Sequence, residues 1–128
     1  MKQTNMESKQ LSIWDDTSPI VKEIESKYPE MTNEYKRIML EGYETFCKKQ
    51  SNYGPDNIAV GTSLRTEEDI RLSLTGLFFR MNDKIQRIKQ LIVFQKKDNV
   101  AEPVKDTFMD LGVYAIIAQI VISNKWGK

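Results

Sequence analysis

An all-α bundle of about four helices is the fold this sequence predicts, and three observations carry it. Apolar residues recur at spacings of three and four through two long stretches, around residues 35–46 and 70–92. No stretch alternates with the period of two that a strand ladder requires. The strongest breaks, Tyr28-Pro29, Gly54-Pro55 and Asp98-Asn99, fall between the periodic stretches.

Residues 1–16 are polar and aperiodic, with Trp14 as their anchor, and read as a flexible N-terminal arm; residues 17–128 read as a single helical domain. Thr17-Ser18-Pro19 is the start of a first helix, because a hydroxyl cap followed by proline at the first position suits a helix N-terminus. That helix ends at Tyr28-Pro29, since proline drives the preceding residue out of the helical region. A second helix is expected from about Thr32 to Gln50, with Tyr35, Ile38, Met39, Gly42, Tyr43 and Phe46 on one face and Gly42 marking close helix packing. A loop follows from Ser51 through Ser63. Thr66 caps a third helix, with Asp69 in a capping-box position, and Ile70, Leu74, Leu77, Phe78, Met81, Ile85, Ile88 and Ile92 carry the helical period onward. The last helix begins at Glu102-Pro103 and ends near Asn124. Its second half is apolar all round, which places it inside a bundle or in an oligomer interface. Trp126 is expected to anchor the C-terminus.

Composition removes several chemistries. Lys and Arg total 19 against 18 Asp and Glu, a net charge of +1 over 128 residues. That balance excludes a strongly basic nucleic-acid-coating protein, so direct nucleic-acid binding is not expected. One cysteine, Cys47, forms no internal disulfide, which fits a reducing, cytoplasmic setting. The absence of histidine excludes Ser-His-Asp and Cys-His catalysis and His-ligated zinc. A metal site would be built from carboxylates and other oxygens, the donor set of Mg²⁺ or Mn²⁺. The longest apolar run, residues 111–122, falls short of the roughly 20 residues of a membrane span. Neither a phosphate-binding GxxxxGK[ST] loop nor a GxGxxG turn is present.

Three constellations could carry chemistry. Arg80, Asp83, Lys84 and Arg87 share one helical face that borders the apolar one. They read either as phosphate-binding groups lining a cleft or as a solvated stripe with an Asp83–Arg87 pair. Glu102, Asp106 and Asp110 form an acidic row at steps of four. The helix dipole accounts for the first two but not for Asp110, which leads into a buried run and needs a metal or a basic partner, with Arg80, Lys84 and Arg87 as candidates for the latter. In the loop, Tyr53 can stack on a base and Asn57 can read its edge; alternatively Tyr53 plugs the core of a plain connector.

The order of these pieces is familiar. Tyr53-Gly54 with Asn57-Ile58 comes first, then the Gly76–Ile88 helix with its Arg80-Met81-x-Asp83-Lys84 core, then a helix with Asp106-Thr107-x-x-Asp110-Leu111. Over residues 32–124 the chain resembles the phage and bacterial nucleotide modification associated domain, first type. It is more distantly similar to the MazG-type all-α nucleoside triphosphate pyrophosphatases, which bind Mg²⁺ through Glu-x-x-Glu on one helix and Glu-x-x-Asp on the next. Here those motifs align with Arg80-x-x-Asp83 and Thr107-x-x-Asp110, so two of the carboxylates are absent. The substitution leaves more positive charge, suited to holding phosphates directly.

The resemblance implies a homo-oligomeric, phage-type protein of nucleotide metabolism or modification that binds a nucleotide or nucleotide-derived molecule. In that reading Asp83, Glu102, Asp106 and Asp110 hold Mg²⁺, and Arg80, Lys84 and Arg87 hold phosphates. Tyr53 and Asn57 meet the base. Asp110 and Asp106 serve pyrophosphohydrolysis by orienting a metal-activated water. The alternative is a non-catalytic binder that sequesters a nucleotide or nucleotide signal, or assists a base-modifying enzyme.

Overall fold

Proline spacing sets the first two helices. In the computed structural model, which describes residues 18–128, helix α1 spans Pro19–Lys27. The expected arm at 1–16, and Thr17, lie outside the described residues. α1 stops at Tyr28, whose backbone (φ −134°, ψ 65°) has left the helical region that a following proline disfavours. Pro29 then opens α2, Pro29–Tyr53, three residues before the expected start at Thr32. Proline costs nothing there, because the first turn has no use for its missing N–H. Thr32 lies inside the first turn, and its hydroxyl donates back to the carbonyl of Tyr28 at 3.0 Å. α2 ends on Gly54, at φ 70° in the left-handed region where glycine is unstrained.

Residues 51–63, expected as a loop, are helical at their start and in their middle. The last turn of α2 takes up Ser51–Tyr53, and α3, Asp56–Ala59, is a single turn closed by Val60 and Gly61, both at positive φ. That turn drives Ile58 and Ala59 into the core, at 3% and 5% exposure.

α4, Glu67–Ile88, begins as the sequence predicts. The Thr66 hydroxyl accepts from the N–H of Asp69 at 3.1 Å, and the Asp69 carboxylate accepts from the N–H of Arg65 at 3.3 Å. The helical period was expected to persist to Ile92. Instead the chain widens at Lys89–Val93 into one π-helical turn, with the N–H of Phe94 donating to the carbonyl of Lys89 at 3.0 Å. α5 spans Val104–Ile122. The described residues contain no strand, and no helix among them is long and apolar enough to cross a membrane.

The described residues group into two compact units, one ending at Glu41 and one spanning Gly42–Lys128, with the boundary inside α2. In the first, Lys36 of α2 pairs with Glu25 of α1 at 2.8 Å. In the second, α4 and α5 pack along their length. Their core is Ile58, Ala59, Leu64, Leu77, Ile117, Val121 and Trp126, with Phe46, Leu74, Val113 and Tyr114 around it. Trp126 anchors the C-terminus as expected: its indole N–H donates to the carbonyl of Pro55 at 3.0 Å. Gly42 marks close packing, because a Cβ there would stand 3.0 Å from the Sδ of Met109. α5 is buried along one side only, at Thr107, Ile117 and Val121, and leaves Phe108, Ile116 and Ile122 exposed.

Candidate functional site

The second unit brings charged residues of α2, α4 and α5 together at one carboxylate. Asp110 is itself only 20% exposed and lies between the buried Thr107 and Ile117 of α5, where an unpaired charge would be costly. The Nζ of Lys84 lies 3.0 Å from one of its oxygens and the Nζ of Lys49 lies 3.3 Å from the other. Lys84 is the partner that the sequence asks for. The hydrogen bond to Asp110 holds its ammonium above the ordinary lysine range against the opposing effect of burial, with the charges of Asp110 and Glu102 adding to it.

Beside this trio a cleft of about 330 Å³ opens in the second unit. Lys49, Asp110 and Arg80 supply its charge, Gln50 and Asn57 its amides, and Phe46, Tyr53 and Tyr114 its aromatic walls. Arg80 is held in place twice. One Nη donates to the backbone carbonyl of Asn57 at 2.9 Å, and the guanidinium carbon stands 6.0 Å from the centre of the Tyr114 ring. The carboxamide oxygen of Asn57 is buried with no hydrogen-bond partner, while Tyr53 is 65% exposed at the rim. Of the residues expected to meet a ligand, the structure therefore gathers Arg80, Tyr53 and Asn57 at the cleft, with Lys84 reaching it through Asp110.

Arg87 serves a different purpose. Its Nε donates to the hydroxyl of the fully buried Thr107 at 3.1 Å, and one Nη donates both to Asp98 at 3.0 Å and to the carbonyl of Glu102 at 2.6 Å. The Glu102 carboxylate lies 3.8 Å from the same guanidinium. Arg87 thus ties the segment between the π-turn and α5 onto α4, and its ion pairs are with Asp98 and Glu102 rather than with Asp83. The carboxyl of Asp98 is held below its ordinary range, chiefly by the N–H of Val100 and then by the Arg87 guanidinium, against the effect of burial.

The four carboxylates expected to hold Mg²⁺ are dispersed. Asp83 and Asp106 are exposed on separate helices, Glu102 lies against Arg87, and Asp110 is taken by two ammonium groups. Among the described residues no three Asp, Glu or Cys side chains come together as metal ligands. This donor set does not fit a hard divalent cation, which would meet two lysines at its best ligand.

Two contributors were not singled out from the sequence. Lys49 stands among the polar residues near the C-terminal end of α2, and Asp98 read as a turn residue. The signal that could have found Lys49 was the unmet charge of Asp110.

Residues 68–122 match the family described as nucleotide modification associated domain 1. The match spans nearly all of α4 and α5, hence Arg80, Lys84, Arg87 and Asp110. No curated protein and no solved structure matches the chain. The family's description links this segment to nucleotide modification.

Proposed function

We propose that the cleft of the second unit binds a nucleotide or nucleotide-derived anion and does so without a resident metal. The observation that carries this reading is the charge around Asp110. Lys49 and Arg80 line the cleft against one carboxylate, Asp110, which Lys84 also neutralises, so positive charge is in excess there. A phosphate oxygen entering beside Lys49 exchanges a protein carboxylate for a ligand anion and keeps both lysines paired. The cleft is at the small end of the range of ligand pockets, about 300–1,000 Å³, and its aromatic walls suit a base. The family match supports the ligand class. The dispersed carboxylates favour the sequestering or assisting binder over the Mg²⁺-dependent pyrophosphohydrolase, and no catalytic role is assigned to Asp110 or Asp106.

A thermal-shift panel of nucleoside mono-, di- and triphosphates and cyclic nucleotides, each with and without Mg²⁺, tests this. A ligand at 100 times its Kd stabilises a fold by about 2.7 kcal/mol, a shift of several degrees at this chain length. The expected result is a selective shift that Mg²⁺ does not increase and that Lys49→Ala abolishes. No shift with any nucleotide would overturn the proposal.

A further inference from the structure

The cleft has two unlike ends. Asp110, Val113, Tyr114 and Ile117 line it from one face of α5 and span about 10 Å at 1.5 Å per residue. Asp110, with Lys49 and Lys84 on its carboxylate, marks the charged end. Ile117, buried in the core, marks the apolar one. A base belongs toward the apolar end, against Phe46 and Tyr114, and a phosphate toward the lysines. The charged residues of the lining are Lys49, Arg80 and Asp110. One phosphate group carries a charge of about −1.5 to −2 near neutral pH. Lys49 and Arg80, with Lys84 behind Asp110, match it. A second and a third phosphate meet no further cation in the lining. A cleft of about 330 Å³ is also at the small end for ligand pockets, and a longer phosphate chain leaves it past Asp110.

Beyond Asp110, α5 is acidic. Asp106 stands one turn earlier on the same face, about 6 Å nearer the helix start, and is exposed in the first turn. Glu102 lies a further four residues back. After the hydrogen bond and charge of Asp110, the charge of Glu102 helps hold the Lys84 ammonium above the ordinary lysine range, so the field of the acidic row reaches the cations of the cleft. Granted the nucleotide reading of the cleft, on which this rests, we infer that its ligand is a nucleoside monophosphate and that Asp106 sets the phosphate count by repelling the β- and γ-phosphates of longer nucleotides. Like charges about 6 Å apart near a protein surface repel strongly enough to cost about tenfold in affinity. Among the described residues no three carboxylates gather to hold a cation that would offset that repulsion. The row that spacing alone presents as a metal site thus acts as a barrier to polyphosphate.

Calorimetric titration of the full chain in EDTA tests both parts, using the mono-, di- and triphosphates of the four common nucleosides and the bare nucleosides. The monophosphate of the preferred base should bind about tenfold tighter than its triphosphate, and tighter than its nucleoside by a similar factor. Asp106→Asn should leave the monophosphate Kd within about twofold and tighten the triphosphate about fivefold, whereas Asp106→Glu should keep the wild-type ratio. The helical circular-dichroism signal checks that each variant is folded, and Asp106→Ser repeats the test should Asp106→Asn fail to fold. A triphosphate that binds wild type as tightly as the monophosphate overturns the inference and leaves the nucleotide reading standing. A ratio that the neutral variant does not change overturns the role of Asp106. No binding of any nucleotide overturns the nucleotide reading itself, and the monophosphate with it.

Discussion

Lys84 of α4 and Asp110 of α5 meet at 3.0 Å, and Lys49 of α2 closes on the second oxygen of the same carboxylate at 3.3 Å. One side chain therefore joins three helices of the second unit. It also restrains two cations that a ligand could use. Stability and anion affinity compete for the same two lysines, so substitutions at Asp110 should move them in opposite directions.

Asp110→Asn keeps the shape of the side chain and removes its charge. Lys84 and Asp110 are both partly solvated, at 23% and 20% exposure, so water screening limits the pair to about 1 kcal/mol. The melting temperature should fall by a few degrees. Nucleotide affinity should rise, because both lysines are freed for phosphate. Weaker nucleotide binding in a folded Asp110→Asn protein would mean that the carboxylate itself supports the ligand, and it would revive a metal at this position.

Arg87→Ala should cost more in stability and nothing in ligand affinity. The side chain is 19% exposed and donates to Thr107, Asp98 and the carbonyl of Glu102. Its loss strands a fully buried hydroxyl and frees the segment before α5, a cost of about 2–3 kcal/mol. Arg87→Lys should recover only part of it, since an ammonium cannot span partners arranged for a planar guanidinium. Urea unfolding measures the first effect and nucleotide titration the second. A large loss of nucleotide affinity with little change in unfolding would place Arg87 at the phosphates after all.

The legible parts of this fold are those governed by neighbouring residues. The Thr66 cap, the break at Tyr28-Pro29 and the periodicity of α4 each follow from local chemistry, and they stand where the sequence predicts. The demand of Asp110 for a basic partner was legible too, because a carboxylate leading into an apolar run is a local contradiction, although that run proves only partly buried. Which lysines answer it was only half legible. Lys84 shares a helical face with Arg80, whereas Lys49 lies 61 residues from Asp110 and is brought there by packing alone. The contact of Trp126 with Pro55 crosses 71 residues in the same way. The π-turn at Lys89–Val93 leaves no mark in an apolar period that runs on to Ile92. The acidic row was misleading because a spacing of four aligns carboxylates along a helix without showing what faces them. Across from Asp110 stand ammonium groups.

The Arg87 tie also sets a pH dependence whose sign can be worked out. Asp98 is held below its ordinary value of 3.8, so the folded state binds its proton less readily than the unfolded chain does. Its contribution to stability is therefore fully present above about pH 4 and is lost as pH falls below 3.8 through the lowered folded value. Asp98→Asn preserves an acceptor for the N–H of Val100, which now lies 3.0 Å from Oδ1, but removes the titrating charge. The stability gap between wild type and Asp98→Asn should be constant near neutrality and should shrink as the pH drops below 3.8. Lys84 works in the other direction. Its value is raised above 10.5, so its share of stability persists below that pH and disappears as the pH climbs through the raised value. Urea unfolding of wild type, Asp98→Asn and Lys84→Met at a series of pH values separates the two arms. Parallel acid limbs in wild type and Asp98→Asn would show that Asp98 has the same proton affinity folded and unfolded, and that Arg87 holds the segment through Thr107 and the Glu102 carbonyl alone.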